Sequence, residues 1–188
     1  MMRPPCVWTL QSGPIPSAMM MGILMRSAIW VLNIFATIWG VIGLAGVGWP
    51  ARAVPMVISV LLITWASRIP APERTAADSK RIGRLIGIWT MVEGIAIFAT
   101  FALTPKLGIP DAAVPILAIV VGLHFLPIAR GIPMPVYYAT GLAMIATGAV
   151  ALLLPAAFRY AATGLPCAII LWASCVAIGQ RARRPVLV

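Results

Sequence analysis

The stretch Leu85–Thr104, LIGIWTMVEGIAIFATFALT, decides the fold. Its 20 residues carry one charge, Glu93, and lie between Arg84 and Lys106. A hydrocarbon core about 30 Å thick is crossed by about 20 helical residues, so this run has the length of one crossing. No water reaches backbone amides at that depth, and a helix satisfies them within the segment.

Five further runs share this character: Ile23–Gly46, Ala53–Ile69, Ala112–Ala129, Pro135–Leu154 and Tyr160–Gly179. Ala53–Ile69 is the shortest, because 15 residues separate Arg52 from Arg68. It spans if both arginines snorkel or the bilayer thins locally. The whole chain has 188 residues, 62% hydrophobic and 10% charged, with a mean hydropathy of +1.02. That composition leaves too little polar surface for a soluble domain of this size. The expected fold is all-α, a polytopic membrane bundle of six transmembrane helices covered by the lipid bilayer.

Residues 22–188 read as a single transmembrane domain. Residues 1–21, with Pro4, Pro5, Pro14 and Pro16, read as a flexible N-terminal arm. The first apolar run is 24 residues long and has no clear small-residue cleavage site. It is expected to be retained as a helix rather than removed as a signal peptide.

The formal net charge of +10 is spread over connectors rather than gathered on a soluble domain, which argues against nucleic acid as a partner. With both termini inside, Arg3, Arg26, Arg68, Arg74, Lys80, Arg81, Arg84, Arg130, Arg181, Arg183 and Arg184 are cytoplasmic, and Arg52, Lys106 and Arg159 are external. That asymmetry sets the orientation under the positive-inside rule. The expected location is the plasma membrane, or the inner membrane in a bacterium. The loop Arg68–Arg84 and the tail Arg181–Arg184 also suit a cytoplasmic partner or anionic headgroups.

Internal repetition is visible. The odd-numbered runs end near Pro50, Pro105 and Pro155, and the even-numbered ones near Arg68, Arg130 and Arg181, which suggests three repeated helical hairpins. The best match joins the outer two: Ile63–Ser67 (ITWAS) resembles Ile170–Ser174 (ILWAS), while Gly43 and Pro50 correspond at one offset to Gly148 and Pro155. An inverted three-plus-three repeat is the rival arrangement.

Glu93 and His124 are the ionisable side chains stranded inside the apolar runs. An ionisable group in hydrocarbon costs several kcal/mol unless paired or wetted, so it marks a functional site by default. Glu93 lies nine residues past Arg84 and His124 six before Arg130. At 1.5 Å of rise per residue they sit about 14 Å and about 9 Å from one cytoplasmic level. Neighbouring antiparallel helices would bring them together as a proton relay or a ligand site.

Asn33, Ser174 and Thr140 fall near the same depth. Thr90, Glu93, Thr100 and Thr104 recur close to one helical face. Asn33, Thr37 and Gly40 form a line on the first helix, and Thr163, Cys167 and Ser174 on the sixth. Together these groups are expected to line a narrow polar path, with Asn33, Thr90, Thr100 and Ser174 joining Glu93 and His124 as candidate site residues. Interhelical hydrogen bonding alone, averaging about 0.6 kcal/mol per bond, is the competing explanation. Pro127 leaves the carbonyl of Leu123 without its helical donor beside His124, so a kink is expected there.

Gly40, Gly43 and Gly46, and the pair Gly83 and Gly87, are expected to permit close helix approach. Trp30, Trp65 and Trp89 lie near cytoplasmic-side arginines and read as an interfacial belt. Cys167 and Cys175, eight residues apart on one helix, are about 12 Å apart in rise and cannot bridge. Cys6 lies in the cytoplasmic arm, where thiols stay reduced. Soft sulfur ligands such as Met19–Met21, Met91 and Met144 would suit Cu(I), but methionines in an apolar chain more often serve packing. No metal site and no cofactor is expected. Phosphate-binding glycine loops and hydrolase elbows are absent from the sequence. Glu73, Asp78 and Asp111 read as solvated charges.

Three functions fit. The first is a small permease or channel for a proton or a small polar or cationic substrate. The second is a membrane subunit, stress-response or assembly factor whose polar residues fix packing, and oligomers are compatible with it. The third is an intramembrane enzyme using Glu93 and His124 as acid and base. The basic asymmetry makes the orientation testable: a cysteine introduced at Ala77 should react with an impermeant thiol reagent only after cells are opened. Reaction in intact cells would reverse the topology.

Overall fold

The computed structural model describes residues 17–68, 76–132 and 134–183, with side chains described for 29–68, 80–132 and 134–181. Most of the expected arm, residues 69–75 of the basic loop and the tail from residue 184 fall outside them. Among these described residues six α-helices follow in order: α1 (Ser17–Gly43), α2 (Trp49–Ala66), α3 (Ala76–Leu103), α4 (Ala113–Gly131), α5 (Pro135–Leu152) and α6 (Ala156–Arg183). A 3-10 turn, Pro110–Ala112, leads into α4, and no strand occurs among the described residues. Among the described residues, five helical segments are long and apolar enough to cross a membrane: Trp49–Ala66, Lys80–Leu103, Pro110–Gly131, Pro135–Leu152 and Ala156–Arg181. The described side chains of α1 form a shorter apolar stretch, Ile29–Gly43.

Several boundaries differ from the sequence expectation, and the causes are local. α1 begins at Ser17, inside the span expected to be arm. The second helix begins at Trp49 rather than Ala53, because Pro50 sits in its first turn, where a missing N–H costs nothing. Arg52 therefore belongs to the helix. Its Nη2 turns back to the carbonyl of Ala45, capping the chain just beyond α1 instead of snorkelling. α3 starts nine residues before Leu85, so Lys80, Arg81 and Arg84 ride on its N-terminal turns rather than on a loop. Polar residues can extend a helix beyond its apolar window because exposed backbone at its end is satisfied by water.

The helices pack as antiparallel neighbours in the spatial order α2, α1, α6, α5, α4, α3, with α4 also touching α6 and α2 touching α6. The apolar core is supplied chiefly by α1, α4, α5 and α6, through residues such as Leu32, Trp39, Ala118, Phe125, Met144 and Leu171. The flanking helices are built the other way round. Among its described side chains α3 buries Glu93 and Thr100 and exposes Ile88, Met91, Val92, Ile95, Phe98 and Phe101. Polar groups inward and apolar groups outward is the pattern a lipid surround favours and water opposes.

Two glycine contacts set the closest approaches. A Cβ on Gly122 would lie 2.6 Å from the carbonyl oxygen of Gly141, and one on Gly141 would lie 2.7 Å from that of Gly122. α4 and α5 thus meet backbone to backbone. α1 and α6 meet in the same way, where a Cβ on Gly43 would lie 2.6 Å from the backbone nitrogen of Leu165 and one on Gly164 would strike the backbone of Gly43. Gly40, as expected, faces a neighbour, the ring of Pro55 on α2. Gly46, Gly83 and Gly87 face open space, which corrects the expectation of close packing there.

A methyl group at Gly122 must displace backbone, whereas one at Gly87 meets nothing. Gly122→Ala is therefore expected to lower stability by about 1–3 kcal/mol. Gly87→Ala should be neutral or stabilising by up to about 1 kcal/mol. Thermal melting of both variants in one detergent checks this, and equal stabilities would contradict the packing.

Candidate functional site

α3 and α4 run antiparallel, and their register is anchored where the side chain of Leu85 fills the space beside Gly131. Moving along the seam from that contact brings Glu93 opposite His124. The Nδ1 of His124 lies 3.5 Å from Oε2 of Glu93, and the two side chains are 11% and 8% exposed. The same Nδ1 lies 3.1 Å from the carbonyl oxygen of Trp89. A carbonyl only accepts, so Nδ1 carries a hydrogen and donates it. In the neutral ring the remaining lone pair is then on Nε2.

The Trp89 carbonyl precedes Glu93 by one helical turn, so the imidazole is held by the α3 backbone while it faces the carboxylate. On its own helix the ring meets Phe125 edge-on at 5.9 Å between centroids. Phe125 in turn stacks at 6.2 Å on Tyr137 of α5. A carboxylate, an oriented N–H and a free ring nitrogen are thereby gathered in one apolar seam. Such a group can accept or release a proton, or hold a small cation or hydrogen-bond donor.

The other polar candidates lie near the same depth but form separate clusters. Thr140 Oγ1 and Ser174 Oγ are 2.6 Å apart, joining α5 to α6. Asn33 is fully buried and donates from Nδ2 to the carbonyl of Ile29 at 2.9 Å and to Cys175 Sγ at 3.4 Å, joining α1 to α6. Ser59 of α2 completes that cluster, with Thr37 Oγ1 at 2.7 Å and the Trp172 Nε1–H donating to it at 3.0 Å. Thr90 is exposed and stands away from Glu93. Thr100 and Thr104 are buried but donate to carbonyls one turn back, those of Ala96 and Thr100. The stripe expected on α3 is therefore divided, its hydroxyls serving their own helix. α4 runs through Pro127 to Gly131, so the proline does not end it.

Sequence reasoning missed Ser59, Trp172 and the fate of Asp111. Asp111 was expected as a solvated charge; it is paired with Arg159 Nη1. Arg159 also donates from Nε to Leu154 O at 3.0 Å and from Nη2 to Leu152 O at 3.1 Å, closing the end of α5. The one legible signal was that both charges sit at helix ends on the same side of the bundle. Nothing in the composition of α2 marked the face that carries Ser59. Cys167 and Cys175 are free and buried. Among the described residues no group of three or more His, Cys, Asp or Glu side chains could hold a metal ion.

No family model, curated protein or solved structure matches the chain. What it does must be argued from the site.

Contact between Glu93 and His124 predicts non-additive losses. Glu93→Gln and His124→Leu should together cost less than the sum of the two single changes, because removing one partner strands the other. The expected coupling is about 0.6–1.7 kcal/mol, the range of interhelical polar pairs. Detergent melting of the three variants measures it, and strict additivity would argue against the contact.

Proposed function

We propose that the chain is an integral membrane protein of six spans, α1 included, with both termini cytoplasmic, and that it works as a small permease or channel. The Glu93–His124 pair is its proton-accepting or cation-binding site. The observation carrying this reading is the inverted helix α3, which turns its apolar side chains outward and buries a carboxylate against an imidazole at the α3–α4 seam. A pair of ionisable groups at that depth is costly to keep, and exchange with a passing proton or cation is the use that needs both. His124 is oriented by the Trp89 carbonyl, leaving Nε2 to trade protons while Glu93 balances the charge. A small polar or cationic substrate would compete for the same carboxylate.

The packing reading is favoured by one specific observation: polar side chains join helices directly, Thr37 and Trp172 to Ser59 and Thr140 to Ser174. That supports a subunit or assembly factor in which polar residues fix helix contacts. Duplication of the outer hairpins gains support from a shared latch. Arg52 Nη2 donates to the carbonyl seven residues before it, that of Ala45, and Arg159 Nη2 does the same to Leu152. Both arginines occupy the fourth position of their helix.

Glu93→Gln keeps the shape and much of the hydrogen bonding of the side chain but removes its titration. The variant should insert and fold, losing no more stability than the about 0.6–1.7 kcal/mol of the pair's coupling, yet lose pH-dependent proton or cation flux in proteoliposomes. Undiminished pH-dependent flux would refute the relay; loss of folding without a transport defect in the surviving protein would favour the packing reading.

A further inference from the structure

The cluster around Asn33 is independent of the Glu93–His124 pair and is not complete within the protein. Asn33 has no exposed surface. Its amide orientation is fixed chemically: the group 2.9 Å from the Ile29 carbonyl must be the NH2, since a carbonyl cannot donate. Oδ1 therefore points the other way, and among the described residues it is the one fully buried side-chain oxygen or nitrogen with no hydrogen-bond partner.

The available protons are already placed. Ser59 Oγ donates to the backbone carbonyl of Asn33 at 3.1 Å, and Thr37 Oγ1 lies 2.9 Å from that carbonyl and 2.7 Å from Ser59. The indole N–H of Trp172 is directed at Ser59. None of these is turned to Oδ1. Leaving an amide oxygen dry in an apolar bundle costs about 1–3 kcal/mol. Buried acceptors in such clusters are ordinarily met by an internal water held by two to four polar groups.

We propose that Asn33 Oδ1 is the acceptor of a bound internal water, held between α1 and α6 beside the thiol of Cys175. The ligand class is a small neutral hydrogen-bond donor, because no charged side chain belongs to the cluster and a cation would stand unneutralised. Cys175 Sγ, already accepting from the Asn33 amide, is the neighbouring group able to donate or accept weakly to the same molecule. The site hydrates the joint between α1, α2 and α6. α2 has few buried residues, Pro55, Ser59 and Ala66, and is fastened there largely by polar contacts.

Radiolytic footprinting of the full chain in liposomes tests this. A hydroxyl radical formed from a bound water oxidises the nearest reactive side chain before it can diffuse, and sulfur reacts fastest. Cys175 and Cys167 are both buried on α6 and serve as probe and control. A brief X-ray pulse in heavy-oxygen water should oxidise Cys175 several-fold faster than Cys167, with heavy oxygen incorporated. Asn33→Leu should bring Cys175 down to the rate of Cys167. Equal protection of the two cysteines in the wild type overturns the proposal. So does fast Cys175 oxidation that persists in Asn33→Leu. The wild-type comparison needs no variant, so it decides even if Asn33→Leu fails to insert.

Discussion

Backbone meets backbone where Gly122 of α4 lies against Gly141 of α5, and the polar chemistry of the bundle is positioned from that contact. His124 is two residues beyond Gly122, and Thr140 is the residue before Gly141. With no side chain between the helices, α4 cannot slide without a clash, so the imidazole is held at one depth against α3. The corresponding contact of Gly43 with Gly164 and Leu165 fixes α1 on α6 and so sets Asn33 opposite Cys175. In an apolar surround, where burial alone brings little gain between helices, close approach and hydrogen bonding take over as the source of association.

The consequence is a polar layer rather than a polar path. Antiparallel pairing puts Glu93 with His124, Thr140 with Ser174, and Asn33 with Cys175 near a common depth. Each pair lies in a different seam. Exchange across the bundle along a file of hydroxyls is disfavoured by their bonds to helix carbonyls, and the pair between α3 and α4 stands at the edge of the bundle rather than on its axis. A site in that position is flanked on one side by a single helix, α3, which makes few other contacts.

The charged helix ends do a different job. Arg159 gathers the last carbonyls of α5 and the carboxylate of Asp111, tying three segments at one end. A cation at a helix C-terminus is favoured by the carbonyl dipoles it meets. Arg52 closes the turn after α1 in the same manner. Both arginines were read from sequence as external charges, Arg52 also as one that snorkels, because charge counts and run lengths register their side of the bundle and not their partners.

The sequence by itself determined the helical class and the placement of five helices long and apolar enough to cross a membrane, because run length and charge spacing are local quantities. It also singled out Glu93 and His124, since any ionisable residue inside an apolar run stands out, and their distances of nine and six residues from Arg84 and Arg130 put them within about 5 Å of the same depth. Tertiary structure alone decided which polar residues meet. Thr90 and Thr100 share a stretch of helix with Glu93, yet one is exposed and the other bonds its own backbone. Ser59 is an unremarkable serine until α2 lies on α1 and α6. The physical reason is rotational: helix–helix contacts, set here by glycines whose partners are distant in sequence, choose the face each helix turns inward, and a periodic apolar segment without an apolar stripe does not encode that choice.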